Sequence, residues 1–529
     1  MSTFNKFVSV QEAAKFIKDG DVVAINGVGW VANPELFYEA LEDRYLRTGE
    51  PKGITLYSSC GIGGREVPLL ANRLAHKGLV SELICGHLDS MRNFFPLINN
   101  NVIEAYNFPQ GVLSLNLHNA ARRSPGLMTK IGLNTSVDPR IEGGALNEVS
   151  KKKYVEAIEF RGDEYLFFNT IYPDICIIRG TTADKNGNIT FEKEALQNDP
   201  LVTAHAVRNN GGKVIVQVER ISDSHSNPQH VKIPGDLVDA IYLCPDQRQT
   251  YAESYNSLYS GEVFAPKYQV EAKMLQLLNN SNNNSVKRLV ADRVVARRAA
   301  LELRKGDFVN LGIGIPTMIG LELCSIGHLD IEDVTFTVET GIVGGIPAGE
   351  VAFGANINSN AIYSQASQFE FYEGGALDVT FVGALEIDKT GNVNVMKTGN
   401  KLFGIGGFNY VTQTPKRVVF CSKFMQGSGY KPKDDGFSII DGRFCKLVDN
   451  VEHINYSSKN ALEKGQKAIY ITERGVFELS EEGLILIEIS PYADIEKDIL
   501  SHLNFEVKIS PNLKSMDEIC FNFKEVSNE

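Results

Sequence analysis

The chain has 529 residues, 43% of them hydrophobic and 22% charged, with a formal net charge of -12. That composition belongs to a globular protein with a sizeable core, and the length leaves room for roughly two or three domains. A net acidic chain lacks the basic face that nucleic-acid phosphates need, and no apolar run approaches the length of a membrane span. Eight cysteines, at 60, 85, 176, 244, 324, 421, 445 and 520, form neither CxxC nor any other metal-ligand spacing, which argues against a zinc site or a disulfide framework. The start has neither an apolar signal core nor Arg-rich transit character, so a cytoplasmic protein in reducing surroundings is expected.

In chain order, Ser9 to Lys18 reads as an amphipathic helix with Ser9 as N-cap and Val10, Ala13, Ala14 and Ile17 as its buried stripe. Val22 to Ile25 is a short strand running into Gly27-Val28-Gly29 and then a helical pattern from Glu35. This is a βα unit with a glycine loop, not a dinucleotide fingerprint, because the third glycine is missing. A second unit follows, with Ile54 to Ser58 as strand, Cys60 to Gly64 as loop and Leu69 to His76 as helix. Tyr106 to Asn147 reads as loop and short helix beside a substrate surface, where Arg122, Arg123 and Arg140 are either anion contacts or solvated arginines. Asp174 to Gly180 is a strand, Thr182 to Asn188 a turn with Asn-Gly at its tip, and Lys213 to Val218 an apolar, hence central, strand.

Asn279 to Ser285, reading NNSNNNS, marks a flexible connection between a first half, 1–278, and a second half, 286–529. The second half repeats the first. Gly306-Asp307 stands for Gly20-Asp21 and Gly312-Ile313-Gly314 for Gly27-Val28-Gly29, with a slip of one residue between the pairs. The strand Val334 to Val338 matches Ile54 to Ser58, and Gly341 matches Gly61. Asp378 to Asn392 follows Asp174 to Asn188, and Arg417 to Phe420 follows Lys213 to Val216, both displaced by 204 positions. The fold expected is therefore α/β, two homologous open α/β/α (Rossmann-like) domains in one chain. The first copy carries about 80 extra residues between its second strand and its Asn-Gly turn, well beyond an ordinary connection.

The repeat acts as an internal control. Glu339, an acid at a strand's carboxyl end followed by glycines, stands where the first copy has Ser59. Gly404-Ile405-Gly406-Gly407-Phe408 stands where the first copy has Pro200-Leu201-Val202-Thr203-Ala204. Since one copy folds without them, both features point to function. A carboxylate and a glycine loop offering main-chain N–H groups are the equipment of nucleophilic acyl transfer, the N–H groups holding the oxygen that turns negative. A carboxylate is adequate against a thioester, whose thiolate leaves readily. HxExxH and GxSxG are absent, and His87, His118, His205 and His225 read as ordinary polar residues.

The chain resembles the family I coenzyme A transferases, in the branch of short-chain acyl (acetate or propionate) CoA-transferases. The resemblance runs nearly end to end, through YNFPQGVLSLNL (Tyr106 to Leu117), RGTTADKNGNITFEKEAL (Arg179 to Leu196), NLGIGIPT (Asn310 to Thr317) and TVETGIVGG. It continues through GIGGFNYVTQT (Gly404 to Thr414), ITERGVFEL (Ile471 to Leu479) and GLILIEISPYADIEKDIL (Gly483 to Leu500). The resemblance implies that Glu339 is the nucleophile of a ping-pong reaction through an acyl-glutamyl anhydride and a glutamyl-CoA thioester. It implies that Gly404 to Phe408 supplies oxyanion donors, with Gly406 and Gly407 the choice within it, and that Gly312 and Gly314 line the same pocket between the halves. Loops such as Asn26 to Trp30 would face substrate from the first copy. It further implies acyl-CoA and short-chain carboxylic acids as partners, coenzyme A as substrate with no cofactor or metal, no nucleic acid or membrane partner, and a homodimer or homotetramer. Two other readings stay open at this point: an acyl-CoA hydrolase, in which water takes the glutamyl intermediate, and a metabolite-binding relative without activity. A nicotinamide dehydrogenase is disfavoured by the incomplete glycine loops.

Overall fold

Apolar runs flanked by glycine turns set up parallel strands in both halves of the computed structural model, which describes residues 6–64, 69–250, 253–266, 269–270, 286–348 and 352–523. The Asn-rich connection at 279–285 lies outside them. In the first half, seven parallel strands form one sheet. They are β1 (Val22–Ile25), β2 (Ile54–Ser58), β3 (Val80–Cys85), β4 (Glu104–Asn107), β5 (Ile175–Ala183), β6 (Lys213–Ile221) and β7 (Ala240–Leu243), in the order β7-β6-β5-β1-β2-β3-β4. The helices named in the account below are α1 (Val10–Ala14), α2 (Glu35–Thr48), α3 (Gln110–Ala121) and α4 (Pro200–Asn209).

In the second half, β8 (Phe308–Leu311), β9 (Thr335–Val338), β10 (Val379–Val382), β11 (Arg417–Cys421) and β12 (Lys467–Ile471) lie in the order β12-β11-β10-β8-β9. This is the order β7-β6-β5-β1-β2 over again. The register repeats as well: Val23 pairs with Ile175 and Leu56, and Val309 with Val379 and Phe336. Ile175 faces Lys213 as Val379 faces Arg417, at the displacement of 204. Small polar devices are copied too. Asp174 accepts from the Val22 amide and Asp378 from the Phe308 amide, at 2.9 and 3.0 Å. In the Asn-Gly turn, Asp184 Oδ1 takes the Asn186 and Asn188 amides, and Asp388 Oδ1 takes those of Thr390 and Asn392. Gly187 and Gly391 sit at the turns with φ of 80° and 89°, where a side chain would be strained.

The copies differ at their margins. Beyond β2 the first copy adds β3, β4, α3 and a three-stranded antiparallel sheet of Gly126–Thr129, Val155–Phe160 and Asp163–Asn169, which accounts for its extra length. Beyond β12 the second copy adds the antiparallel strands β13 (Gly475–Ser480) and β14 (Gly483–Ile489), then β15 (Lys508–Ser515). Its helices include α5 (Val286–Ala300), α6 (Ile319–Ile326), α7 (Gln365–Glu373) and α8 (Phe408–Gln413). The main core runs through the first half and on to Phe369, Tyr372, Tyr410 and Phe420 of the second, so α7 and α8 are buried against the first copy.

Three local expectations are corrected. The first helix has its Ser9 cap, with a reciprocal bond from Glu12, but ends at Ala14. Leu69 to His76 is no helix: Leu70 has φ of 50°, only Ala71–Leu74 makes a 3-10 turn, and the buried Asn72 amide is tied to the Gly64 and Ser90 carbonyls. The glycine loops also align differently, because the Gly312 amide donates to Phe381 just as the Asn26 amide donates to Ile177. Gly312 therefore occupies the place of Asn26, and the slip falls after the strand.

Candidate active site

Glu339 follows the last residue of β9, beside the end of β8, at the carboxyl edge where open parallel sheets leave a crevice. The turn beyond it is tightly held. Thr340 donates from its hydroxyl to the Gly354 carbonyl at 2.7 Å, and Gly341 has φ of 95° with no room for a Cβ, which would lie 2.2 Å from the Tyr363 carbonyl oxygen. Glu339 thus projects into a cleft of about 370 Å³ between the two copies. Its register-equivalent in the first copy is Ser59, as the strand pairings require.

Behind the carboxylate lies a neutral network. Asn310 Nδ2 is 3.4 Å from Glu339 Oε2 and from the Tyr372 hydroxyl, and Tyr372 donates to Thr337 Oγ1 at 2.8 Å. Among the described residues no ion pair reaches Glu339. Burial therefore raises its pKa above the usual carboxylate value of 4.5, with only its own amide and Asn310 opposing. Cys60, a thiol in the same cleft, is pushed up to about 12, first by burial and then by the Glu339 charge. The thiol therefore stays protonated at neutral pH.

That raised pKa has a cost in stability. Between the ordinary carboxylate pKa of the unfolded chain and the raised value of the folded one, the folded protein holds more protons, so its stability falls as pH rises through that window. Glu339→Gln removes the penalty. Thermal melts should find this variant more stable than the parent at neutral pH, the difference closing as the pH drops below the ordinary carboxylate range.

The glycine loop faces Glu339 from the other wall. In the first copy α4 begins at Pro200, which corresponds to Gly404; in the second copy α8 begins only at Phe408, so Gly404 to Gly407 replace a first helical turn by loop. Gly404 packs where a Cβ would lie 2.9 Å from His87 Cα, and is a close-approach residue. The Gly406 amide is committed, donating to the Gly86 carbonyl at 2.6 Å. The Gly407 amide has no partner among the described residues, and a Cβ on Gly407 would stand 3.4 Å from Glu339 Cγ. Of the two expected donors, Gly407 is the one left free, while Gly406 is spent on holding the loop.

Gly312 lines the cleft; Gly314 does not, being exposed and capping the 3-10 turn Ile315–Met318. Val28, Gly29 and Trp30 line it, as expected of the first copy's loop. His87, Asp89, Ser90 and Gln110 line it too and were missed in the sequence; all four come from the insertion in the first copy. The oversized insertion hinted at them, and the stretch Tyr106 to Asn147, expected beside a substrate surface, took in Gln110 without singling it out. The arginines stay out: Arg140 pairs with Asp138 and Glu164, Arg122 bonds Asn119, and Arg123 bonds the Asn209 carbonyl. No group of three or more His, Cys, Asp or Glu among the described residues could hold a metal ion, and no described helix is long and apolar enough to cross a membrane.

The coenzyme A transferase family profile matches residues 7–243 and 294–428. The acetate CoA-transferase YdiF of Escherichia coli (strain K12) is 41% identical over 519 residues, covering 97% of this chain and 94% of that one. The caffeate CoA-transferase of Acetobacterium woodii is 39% identical, covering 98% of each. The crystal structure of the acyl-CoA transferase YdiF from Escherichia coli O157:H7, in a thioester complex with CoA, superposes with a TM-score of 0.89 at 39% identity, covering 98% of this chain and 96% of that one.

Proposed function

This chain belongs to the coenzyme A transferase family and is a CoA-transferase, and from that premise we propose that it moves CoA from short-chain acyl-CoA, such as acetyl-, propionyl- or butyryl-CoA, to a free carboxylic acid such as acetate. The observation that carries this reading is the pairing of Glu339 with the Gly407 amide across an apolar cleft, neither group meeting an ion-pair or hydrogen-bond partner among the described residues except Asn310.

The Glu339 carboxylate attacks the thioester carbonyl, whose oxygen becomes negative and is held by the Gly407 N–H. The carbon–sulfur bond breaks, leaving an acyl-glutamyl anhydride and the CoA thiolate. The thiolate then attacks the glutamyl carbonyl, the acyl carboxylate leaves, and a glutamyl-CoA thioester remains. A second carboxylate takes the CoA by the same steps reversed, so no net charge or proton is consumed. The burial that raises the Glu339 pKa also sharpens its attack, because a desolvated carboxylate surrenders little hydration on reaching the carbonyl.

The support is of two kinds. Within the chain, Ser59 shows that the fold needs no acid at this place; outside it, the O157:H7 relative was crystallised as a thioester with CoA. Incubation with propionyl-CoA alone should leave a CoA-sized adduct; borohydride should then expel CoA and reduce the Glu339 side chain to a primary alcohol, marking the residue, and labelled acetate added in place of borohydride should emerge as acetyl-CoA. Thioester loss that is just as fast in acetate-free buffer would instead make the protein a hydrolase. Acceptor acids tried beside acetate should include aromatic ones, since one relative is a caffeate CoA-transferase.

A further inference from the structure

Between β1 and α2 the first copy makes a tight reverse turn at the mouth of the cleft. The Val28 amide donates to the Val31 carbonyl at 3.1 Å and the Val31 amide to the Val28 carbonyl at 2.9 Å, which leaves Gly29 and Trp30 at the tip. The Gly29 amide donates to the Gly61 carbonyl at 2.7 Å, fastening the tip to the loop that carries Cys60. Val28 and Cys60 are buried, Trp30 is half-buried and Ile313 is exposed, so the tip stands where the cleft opens. The second copy takes another path: from Gly312, the counterpart of Asn26, it runs through Gly314 straight into the 3-10 turn Ile315–Met318. The fold does without the turn there, as it does without an acid at Ser59.

One buried side chain holds the turn from behind. Asn33 Nδ2 donates to the Gly29 carbonyl at 3.0 Å and to the Val31 carbonyl at 3.3 Å, and the buried Tyr38 hydroxyl donates to Asn33 Oδ1 at 3.0 Å. These partners fix the amide, because the reverse orientation would set its oxygen against two carbonyl oxygens and lose both bonds. Gly27 leaves the space for it: a Cβ there would lie 2.7 Å from Asn33 Oδ1. Ala32, between the turn and Asn33, has φ of 56°, a left-handed conformation that a residue with a side chain keeps only where its surroundings enforce it. The main chain is anchored too, since Arg179 Nη1 donates to the Asn33 carbonyl at 3.3 Å. We infer that Asn33 is a positioning residue, which holds Trp30 as a fixed wall of the cleft mouth against which the arm of an acyl-CoA lies. An indole held in place offers that arm a broad apolar face with little left to order on binding. The inference rests on the reading of the cleft as the acyl-CoA site.

Trp30 is the chain's single tryptophan, so its fluorescence reports on the wall directly. In Asn33→Asp the ionised carboxylate can no longer donate to the two carbonyls, and acrylamide should quench Trp30 more steeply than in the parent. KM for propionyl-CoA should rise about tenfold, the scale of one or two hydrogen bonds, with kcat within about threefold, the pattern of binding lost equally from ground and transition state. KM for acetate, which has no such arm, should change far less. Trp30→Ala should raise KM for propionyl-CoA to the same extent, and Asn33→Asp should then add nothing further, because both remove one wall. An Asn33 that served stability alone would instead add its own loss. Should Asn33→Asp not fold, Tyr38→Phe, which deletes only the donor to Asn33 Oδ1, is expected to move quenching and KM the same way by less, and no movement there overturns the inference. An unchanged KM for propionyl-CoA in folded Asn33→Asp or in Trp30→Ala overturns it as well, as do additive losses in the double variant. Glu339→Gln, which forms no adduct, separates this inference from the reading beneath it, since propionyl-CoA should still shield its Trp30 from acrylamide. Shielding without transfer supports both. Transfer by Glu339→Gln sinks the acyl-transfer reading while shielding still supports the wall, and neither shielding nor transfer sinks the wall alone.

Discussion

Glu339→Gln is expected to lose transfer activity by on the order of 10⁴-fold or more, the scale seen when a covalent nucleophile is removed. The amide has the shape of the carboxylate and can keep the contact with Asn310, but it cannot form the anhydride. Cys60 cannot take over, because burial keeps its thiol protonated with a pKa of about 12. The measurement is label transfer from propionyl-CoA to acetate together with the intact mass after incubation with acyl-CoA. Activity within tenfold of the parent, or a CoA adduct on the variant, would remove Glu339 from the mechanism. Because the same substitution should raise stability at neutral pH, loss of activity could not be put down to unfolding.

Gly407→Pro should lower kcat by about 10² to 10³, or about 3 kcal/mol of barrier, by deleting the one loop amide left uncommitted beside Glu339. Gly407 has the φ of -80° that a proline requires, and no N–H bond among the described residues is lost. Gly407→Ala keeps the N–H and sets a methyl 3.4 Å from Glu339 Cγ and Phe369 Cε1, a crowding that should cost about tenfold or less. The ordering of the two variants carries the argument. Equal losses in steady-state kcat would show that the loop acts by shape and not through its amide.

Much of this was legible in the sequence because repeated β-pairing leaves a repeated spacing. Asp184 and Asp388, with their Gly and Asn partners, mark the same turn in both copies, and the displacement of 204 reappears as a register. Glu339 could be found because Ser59 stands where it would otherwise be explained away as loop. What could not be read is whatever depends on how the copies meet. Gly406 and Gly407 are alike in sequence, and only the position of the Gly86 carbonyl decides which amide is free. His87 and Gln110 reach the cleft through the fold of the insertion, and no local pattern announces that. Leu69 to His76 has a helical pattern, yet the tertiary bonds of Asn72 and the left-handed Leu70 override it.

The way the glycine loop is fastened bears on how a long substrate gets in. Leu88 and Asp89 donate to the Phe403 carbonyl, Ile405 to Asn107, Gly406 to Gly86, and Gln110 to Gly406. These five hydrogen bonds join the two copies through Phe403, which leads into the loop, and through Ile405 and Gly406 within it. Swinging the copies apart like a book would forfeit about 5 kcal/mol from these bonds alone and dismantle the donor loop each time. With the copies tied in this way, a long substrate has to enter along the cleft lined by Trp30 and Ile313 and not by parting the copies, and the donor loop stays assembled.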